Sequence, residues 1–361
     1  MESRTTQIFM ELIKINSPSK EEQTFRDHII KRLENLNFKV QQDSYGNVTA
    51  TLGSFKQKPI MLCCHLDTVP NAVDVNASIV DGTIVTDKSS ALGADDKSGI
   101  AAILAAVEEL QQNNIDIRDL IVLFTVEEEI GLEGIKNYDL SNLKEIEAGY
   151  VLDASGPIGT VVVASPSKTD SIITFNGKAA HAGFTPEKGI SAIAMASSAI
   201  DKMKMLRIND DTTANIGTIA GGVANNVVSE KCVVTTEVRS LSEESAKAQL
   251  AHMELCCIKA IGQHGGYYTF ESKTNYPSYK IDQNDKTVLS YKKVCDNLNI
   301  PFSTKFTGGG SDTNIMRNNN LPVITVTNGY ENAHSVNEEI SLEQLNKLTE
   351  VVKEIVTLKE N

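Results

Sequence analysis

What most limits the fold of this chain is a set of short, unbroken apolar runs: PIMLCCHL (59 to 66), DLIVLFTV (119 to 126) and GYVLDA (149 to 154). None alternates polar and apolar residues, so as strands they would be covered on both faces. Between the first two lies SGIAAILAAVEELQQ (98 to 112), Ala/Leu-rich, with acids and glutamines on one side, the pattern of a helix. Continuous apolar strands separated by helices predict an α/β fold, a mostly parallel sheet with helices on both faces.

From about residue 167 the style changes. TDSIITFNG reads as a strand, GISAIAMASSAIDKM as a helix, and NIGTIAGG and KCVVTTEVRS as strands. ESAKAQLAHMELCCIKAIGQHG is a helix closed by Gly265 and Gly266, and YYTFESK a last strand. That β-α-β-β-α-β order predicts an inserted ferredoxin-like α+β domain. After Pro277 the first style returns, with a helix through TVLSYKKVCDNLN, a strand LPVITVTNG (321 to 329) and a final helix, SLEQLNKLTEVVKEIVTL. The 361 residues are therefore expected to form one domain from residues 1–166 and 277–361, interrupted by a second at 167–276.

A formal net charge of −13 argues against nucleic acid or an anionic membrane as partner. No apolar stretch reaches the length of a membrane span. The N-terminus lacks the apolar core of a signal peptide, and its Ile8, Leu12 and Ile13 suit an amphipathic helix. Six cysteines form no CxxC and several lie in apolar runs, so buried reduced thiols and a cytoplasmic location are expected.

The stretch FTVEEEIGLEG (124 to 134) sets three carboxylates, Glu127, Glu128 and Glu129, at the end of a buried strand. In open parallel sheets ligands bind beyond the carboxyl ends of the strands. The other ends lead to His65 and Asp67, to Asp153, and to a loop with His334, while Asp95 and Asp96 of LGADDKSG precede the long helix. Singly, each has an ordinary explanation, as a helix cap, an exposed histidine or a solvated acid. Gathered on one side of a sheet, they call for a cation that turns repulsion among the acids into attraction. Two histidines, an aspartate, a glutamate and a bridging aspartate would bring three negative charges, which two dications and a hydroxide balance. Imidazole with carboxylate suits zinc, with cobalt or manganese as alternatives.

HLDTVP, LGADDKSG, VEEEIGLEG, GKAAHAG, GGSD and NAHS, in this order, resemble the dinuclear zinc exopeptidases related to peptidase T, and the likeness spans nearly the whole chain. The wider superfamily includes carboxypeptidases, aminoacylases and desuccinylases. The resemblance implies that His65 and Asp153 hold one metal, Glu129 and His334 the other, and that Asp95 bridges them. It implies a cis peptide at Asp95–Asp96, Asp67 orienting the His65 imidazole, and Glu128 as general base, with Glu127 an ordinary exposed acid. It further implies that His181 stabilises the oxyanion, reaching across a homodimer formed through the inserted lid domain. Asn226, Arg239, Gly309, Gly310 and Ser311 would contact substrate. VVSE stands where the family more often has VVPE, which leaves the turn beside Asn226 less well defined by the likeness.

The function so implied is hydrolysis of short peptides, with removal of N-terminal residues from tripeptides as the leading form. An amidohydrolase that removes an acyl group from an amino acid or small metabolite would use the same metals. A non-catalytic protein on a degenerate version of the fold should have lost a ligand or the base, yet all six residues are present.

Overall fold

The computed structural model describes residues 2–358, which form two compact units. The first comprises the chain up to Val163, Ile281–Thr307 and the chain from Ser311 onward; the second is Ala164–Lys280 with Gly308–Gly310.

The first unit is built on a sheet whose strands run in the order Lys39–Gln42, Val48–Leu52, Leu120–Thr125, Ile60–His65, Ala148–Leu152, Val323–Val326 and Thr160–Ser165. The central four are parallel to one another, and the strands outside them are antiparallel. The parallel core is where the unbroken apolar runs fall: Ile60–His65 and Leu120–Thr125 are buried at every residue, as two-sided coverage requires. The antiparallel additions come from segments with polar residues, KVQQ, VTATL and TVVVAS, which the apolar-run criterion passes over.

Helix Ala94–Gln112 packs against Arg4–Leu12 and Leu342–Thr357. Its alanines allow close approach, and Ile100, Ile103, Leu104 and Val107 are buried. Each such side chain contributes about 1.5–3 kcal/mol on leaving water. The helix stops at Asn113, where the glutamines have already reached solvent. Register then sets the site: His65 pairs with Thr125, Cys63 with Val151, and Leu152 with Val326, so four strand ends finish at one level.

A smaller antiparallel sheet, missing from the sequence reading, joins Ala77–Val80, Thr83–Thr86, Glu339–Ser341 and Tyr330–Glu331. Its strands have two to four residues, too few for any periodicity to register. The hairpin between Tyr330 and Ser341 carries His334 at its tip.

The second unit is an antiparallel sheet in the order Leu206–Asn209, Thr212–Gly221, Lys231–Ser240, Ser167–Asn176 and Tyr267–Tyr276. Helices Ala192–Lys202 and Glu243–His264 pack on it, their first turns capped by the hydroxyls of Ser191 and Ser242. The longer helix ends at Gly265, whose φ of 82° suits glycine. Ile173, Phe175, Val234 and Val238 from the sheet meet Met195, Ala199, Met253 and Cys257 from the helices in one core. Leu206–Asn209 extends the expected β-α-β-β-α-β order by one strand. It is short and largely exposed, held by its hairpin partner, and so leaves no hydrophobic signature.

The chain enters and leaves this unit through neighbouring strands: Ser165 pairs with Tyr279 and Ala164 with Lys280. Just beyond, the Ile281 amide donates to the Val163 carbonyl at 2.7 Å. All six cysteines are buried and free.

Candidate metal centre

The aligned strand ends bring five dispersed residues together as two triads, His65–Asp95–Asp153 and Asp95–Glu129–His334, each with its donor atoms within 4.8 Å of one another. Asp95 belongs to both. Its Oδ1 lies 3.0 Å from His65 Nε2 and its Oδ2 lies 3.2 Å from His334 Nε2. His65 Nε2 is 3.8 Å from Asp153 Oδ1, and His334 Nε2 is 3.1 Å from Glu129 Oε1. One carboxylate therefore faces a different imidazole with each of its oxygens.

Local backbone makes this possible. Gly93 is left-handed at φ 70°, and Asp95 and Asp96 have non-helical dihedrals although the helix continues directly after them. The Asp95–Asp96 peptide is cis, as the resemblance implies. Asp96 points inward, accepting from the His65 amide at 3.2 Å and from Asn328 Nδ2 at 2.6 Å, while Asn328 also donates to the Leu152 carbonyl at 2.5 Å. Asp96 and Asn328 so tie three strand ends to one another.

Asp67 is wholly buried and does more than the sequence suggests. His65 Nδ1 donates to the Asp67 backbone carbonyl at 2.9 Å, and the carboxylate is farther, at 3.4 Å. With its proton on Nδ1, the ring leaves the Nε2 lone pair for a metal. The Asp67 carboxylate instead accepts the amides of Glu128 at 2.9 Å and Glu129 at 3.1 Å, and the Ser19 hydroxyl at 2.7 Å. It fixes the main chain of the stretch that carries three adjacent glutamates.

Those glutamates have separate environments. Glu128 is buried and Glu129 half-buried. Glu127, expected as an ordinary exposed acid, is half-buried and engaged. Its amide donates to Glu22 Oε1 and its carboxylate accepts from the Tyr45 hydroxyl, both at 3.1 Å. The strand bends here, with Glu127 at φ 54°, and Glu127 turns to Tyr45 while Glu128 is buried. Close packing behind the turn needs Gly134, where a Cβ would sit 2.1 Å from the Val126 carbonyl oxygen.

The electrostatics describe a site with surplus negative charge. Burial, then the Glu128 and Asp95 charges, push Asp153 well above the usual carboxylate range. Burial and the Glu129 charge do the same to Glu128. Burial disfavours a charged His65, but bonds to Asp67 and Asp95 still carry it well above the usual imidazole value. Asp95 and Glu129 raise His334 to about 10. Glu129 Oε1, close to His334 but out of line for a hydrogen bond, is a buried oxygen without a donor. Orphaned oxygen, mutually repelling acids and two imidazoles form a donor set that divalent cations fit.

Three participants went unread in the sequence. Glu338, Glu22 and Asp312 are buried acids in segments with no periodic pattern. Asp312 accepts from Thr125 at 2.6 Å, and burial raises it to about 6.

In the second unit, His181 is exposed, and its Nδ1 accepts from the Gly183 and Phe184 amides, both at 3.2 Å. That assigns the ring proton to Nε2. Exposed Asn226 accepts at its carbonyl from the Ala182 amide at 2.9 Å, so these two loops are joined. Arg239 pairs with Glu237 at 2.8 and 3.1 Å and donates to the Gly308 carbonyl at 2.9 Å. The Gly309 carbonyl accepts from Ser165 at 2.8 Å, and at Gly310 the Tyr276 ring fills the place of a side chain. In the first unit, Ser311 is buried and its hydroxyl pairs with that of Thr325 at 2.8 Å.

A parallel α/β unit with two imidazole–carboxylate triads sharing one acid defines a metal-dependent hydrolase. Residues 61–358 match the model of peptidase family M20/M25/M40, and the chain belongs to that family, as a peptidase T-like metallopeptidase of the exopeptidase kind. It is 36% identical over 364 residues to the uncharacterized protein YqjE of Bacillus subtilis (strain 168), covering 98% of each. The structure of aminopeptidase PepT from Bacillus cereus ATCC 10987 is similar, with TM-score 0.87 and 35% identity over 98% of this chain and 97% of that one. A tripeptidase from Staphylococcus aureus subsp. aureus Mu50 gives TM-score 0.92 and 33% identity over the same shares.

Proposed function

We propose that this chain is a tripeptide aminopeptidase that works with two zinc ions, with Glu128 as its general base. The observation that carries the reading is Asp95 shared between two triads, beside a buried glutamate whose main chain is clamped by Asp67. The likeness to an aminopeptidase and a tripeptidase favours this substrate over an acylated amino acid.

His65 and Asp153 would hold one ion, Glu129 and His334 the other, and Asp95 both. When bound, such ions lower the pKa of a shared water and polarise the scissile carbonyl. Glu128, buried beside the triads, would take the proton of the attacking water. It then gives the proton to the departing amine, so the free amino end leaves neutral and Glu128 is ready again. His181 donates a hydrogen bond from its Nε2–H to the developing oxyanion. Asn226, Arg239 and the amides of Gly309 and Gly310 bind the substrate's backbone and carboxylate, Arg239 with its charge tempered by Glu237.

The inserted unit would act as lid and as the surface of a homodimer, for which the exposed Leu206, Ile219 and Val223 offer apolar contact. Sedimentation showing only monomer at assay concentration would remove that part. Six free buried cysteines suit a reducing cytoplasm.

The decisive experiment pairs substrates with a variant. Zinc-loaded protein should cleave tripeptides and release the N-terminal residue, while an N-acyl amino acid panel stays intact. Activity confined to the acyl panel would replace the peptidase reading by the amidohydrolase one. Glu128→Gln should retain both ions and lose about 10²–10⁴-fold in kcat; wild-type turnover would take the base role from Glu128.

A further inference from the structure

We infer that Glu338 is a positioning residue: its carboxylate holds the main chain of Asp95 and thereby sets the geometry between the bridging acid and His334. The inference rests on the two-ion reading above and adds to it a residue that touches neither ion nor substrate. Glu338 is 1% exposed. Its Oε2 accepts from the Gly93 amide at 2.8 Å and its Oε1 from the Asp95 amide at 3.0 Å. The backbone from 93 to 96 has left-handed and non-helical residues, so these donors have no partner within a helix.

The source of that carboxylate matters. Glu338 lies four residues after His334 in the same hairpin loop, whose arms pair Tyr330 with Ile340 and Ile340 with Ile84. His334 meets Asp95 through its side chain, and Glu338 meets Asp95 through its amide. A closed ring results: imidazole, Asp95 carboxylate, Asp95 amide, Glu338, and back along the loop. Asn71 braces the other side, donating to the His334 carbonyl at 3.1 Å while its own carbonyl accepts from the Ala91 amide at 2.9 Å. Within such a ring the bridging acid cannot shift without dragging the His334 loop. A plain helix cap drawn from elsewhere in the chain would stabilise residues 93–96 without that linkage.

The test uses the full-length protein and compares Glu338→Gln with Glu338→Asp, which keeps the charge but draws it back by one methylene. Asp119→Asn is the control. Asp119 likewise accepts two backbone amides, Ser54 at 2.7 Å and Gln57 at 3.1 Å, but at the entry end of the sheet strand that starts at Leu120. Zinc binding is followed by calorimetry and coordination by the visible spectrum of the cobalt-loaded protein. The expected result is about a 10–100-fold loss in affinity for one of two ions. A changed cobalt spectrum and a fall in kcat at saturating metal should accompany it, with KM for a tripeptide unaltered. Asp119→Asn should lower thermal stability and leave affinity and spectrum as in the wild type. If Glu338→Gln does not fold, Glu338→Asp carries the comparison. Wild-type affinities and spectrum in a folded Glu338 variant that has lost only thermal stability would reduce Glu338 to a cap and overturn the inference. Fewer than two ions in the wild-type protein would instead remove the two-ion reading, and this inference with it.

Discussion

Replacing Asp67 by alanine should damage stability and turnover by separable amounts. The side chain is fully buried, and its oxygens are acceptors for the amides of Glu128 and Glu129 and for the Ser19 hydroxyl. A buried donor stripped of its acceptor costs about 1–3 kcal/mol, so two amides make about 2–6 kcal/mol, while the part-exposed serine can turn to water. Asp67→Asn keeps one accepting oxygen and should cost about half as much. Denaturant titration of the metal-free variants measures this without interference from lost ions. The Asp67 carboxyl is held below its usual range because bonds from His65, Ser19 and Glu128 outweigh burial. A depressed carboxyl contributes stability above its unfolded pKa and loses it as pH falls through the folded one. The gap between wild type and Asp67→Ala should then hold from pH 8 to 5 and narrow below roughly pH 4. With metal restored, kcat should still fall about 10²-fold, since Glu128 has lost the clamp on its main chain. An Asp67→Ala protein within 1 kcal/mol of wild type, with unchanged kcat, would refute the reasoning.

In the metal-free protein His334 should titrate near 10, visible by NMR, because the Asp95 and Glu129 carboxylates beside it favour its charged form. A raised histidine stabilises below its unfolded pKa, so the metal-free protein should lose stability as pH rises from roughly 6.5 towards 10; a flat profile opposes this. His181→Ala should lower kcat about 10²–10³-fold with little change in KM, and a change in KM alone would make it a binding residue. Gly134→Ala should cost about 1–3 kcal/mol in denaturant unfolding, since its methyl would meet the Val126 carbonyl; an unchanged midpoint would mean the turn can yield.

The parallel core was legible because burial on both faces leaves a mark in the sequence itself: Ile60–His65 and Leu120–Thr125 are buried throughout and apolar up to their last residues, His65 and Thr125. The ends of those strands carried the candidate ligands into view, since fold geometry says where to look. The marginal strands were not legible. Leu206–Asn209 and Tyr330–Glu331 are held by partners distant in sequence or by a hairpin, and their own composition says little. Among the site's supports, Asp67 could be found two residues from His65. Glu338 and Asn328 could not, because a buried acid or amide in a loop looks like any solvated one until its donors are known. Glu127 shows the opposite error: three adjacent glutamates read alike in the sequence, and only the bend at φ 54° separates them.

The pairing of Ser165 with Tyr279 and of Ala164 with Lys280 makes the inserted stretch between them, topologically, the loop of one hairpin. A module attached at so narrow a graft point can be exchanged, enlarged or trimmed without re-threading the metal-bearing sheet. Selection can thus vary the inserted module while the strand ends that carry the acids and imidazoles stay put, and a designer could splice another module onto the same two strands.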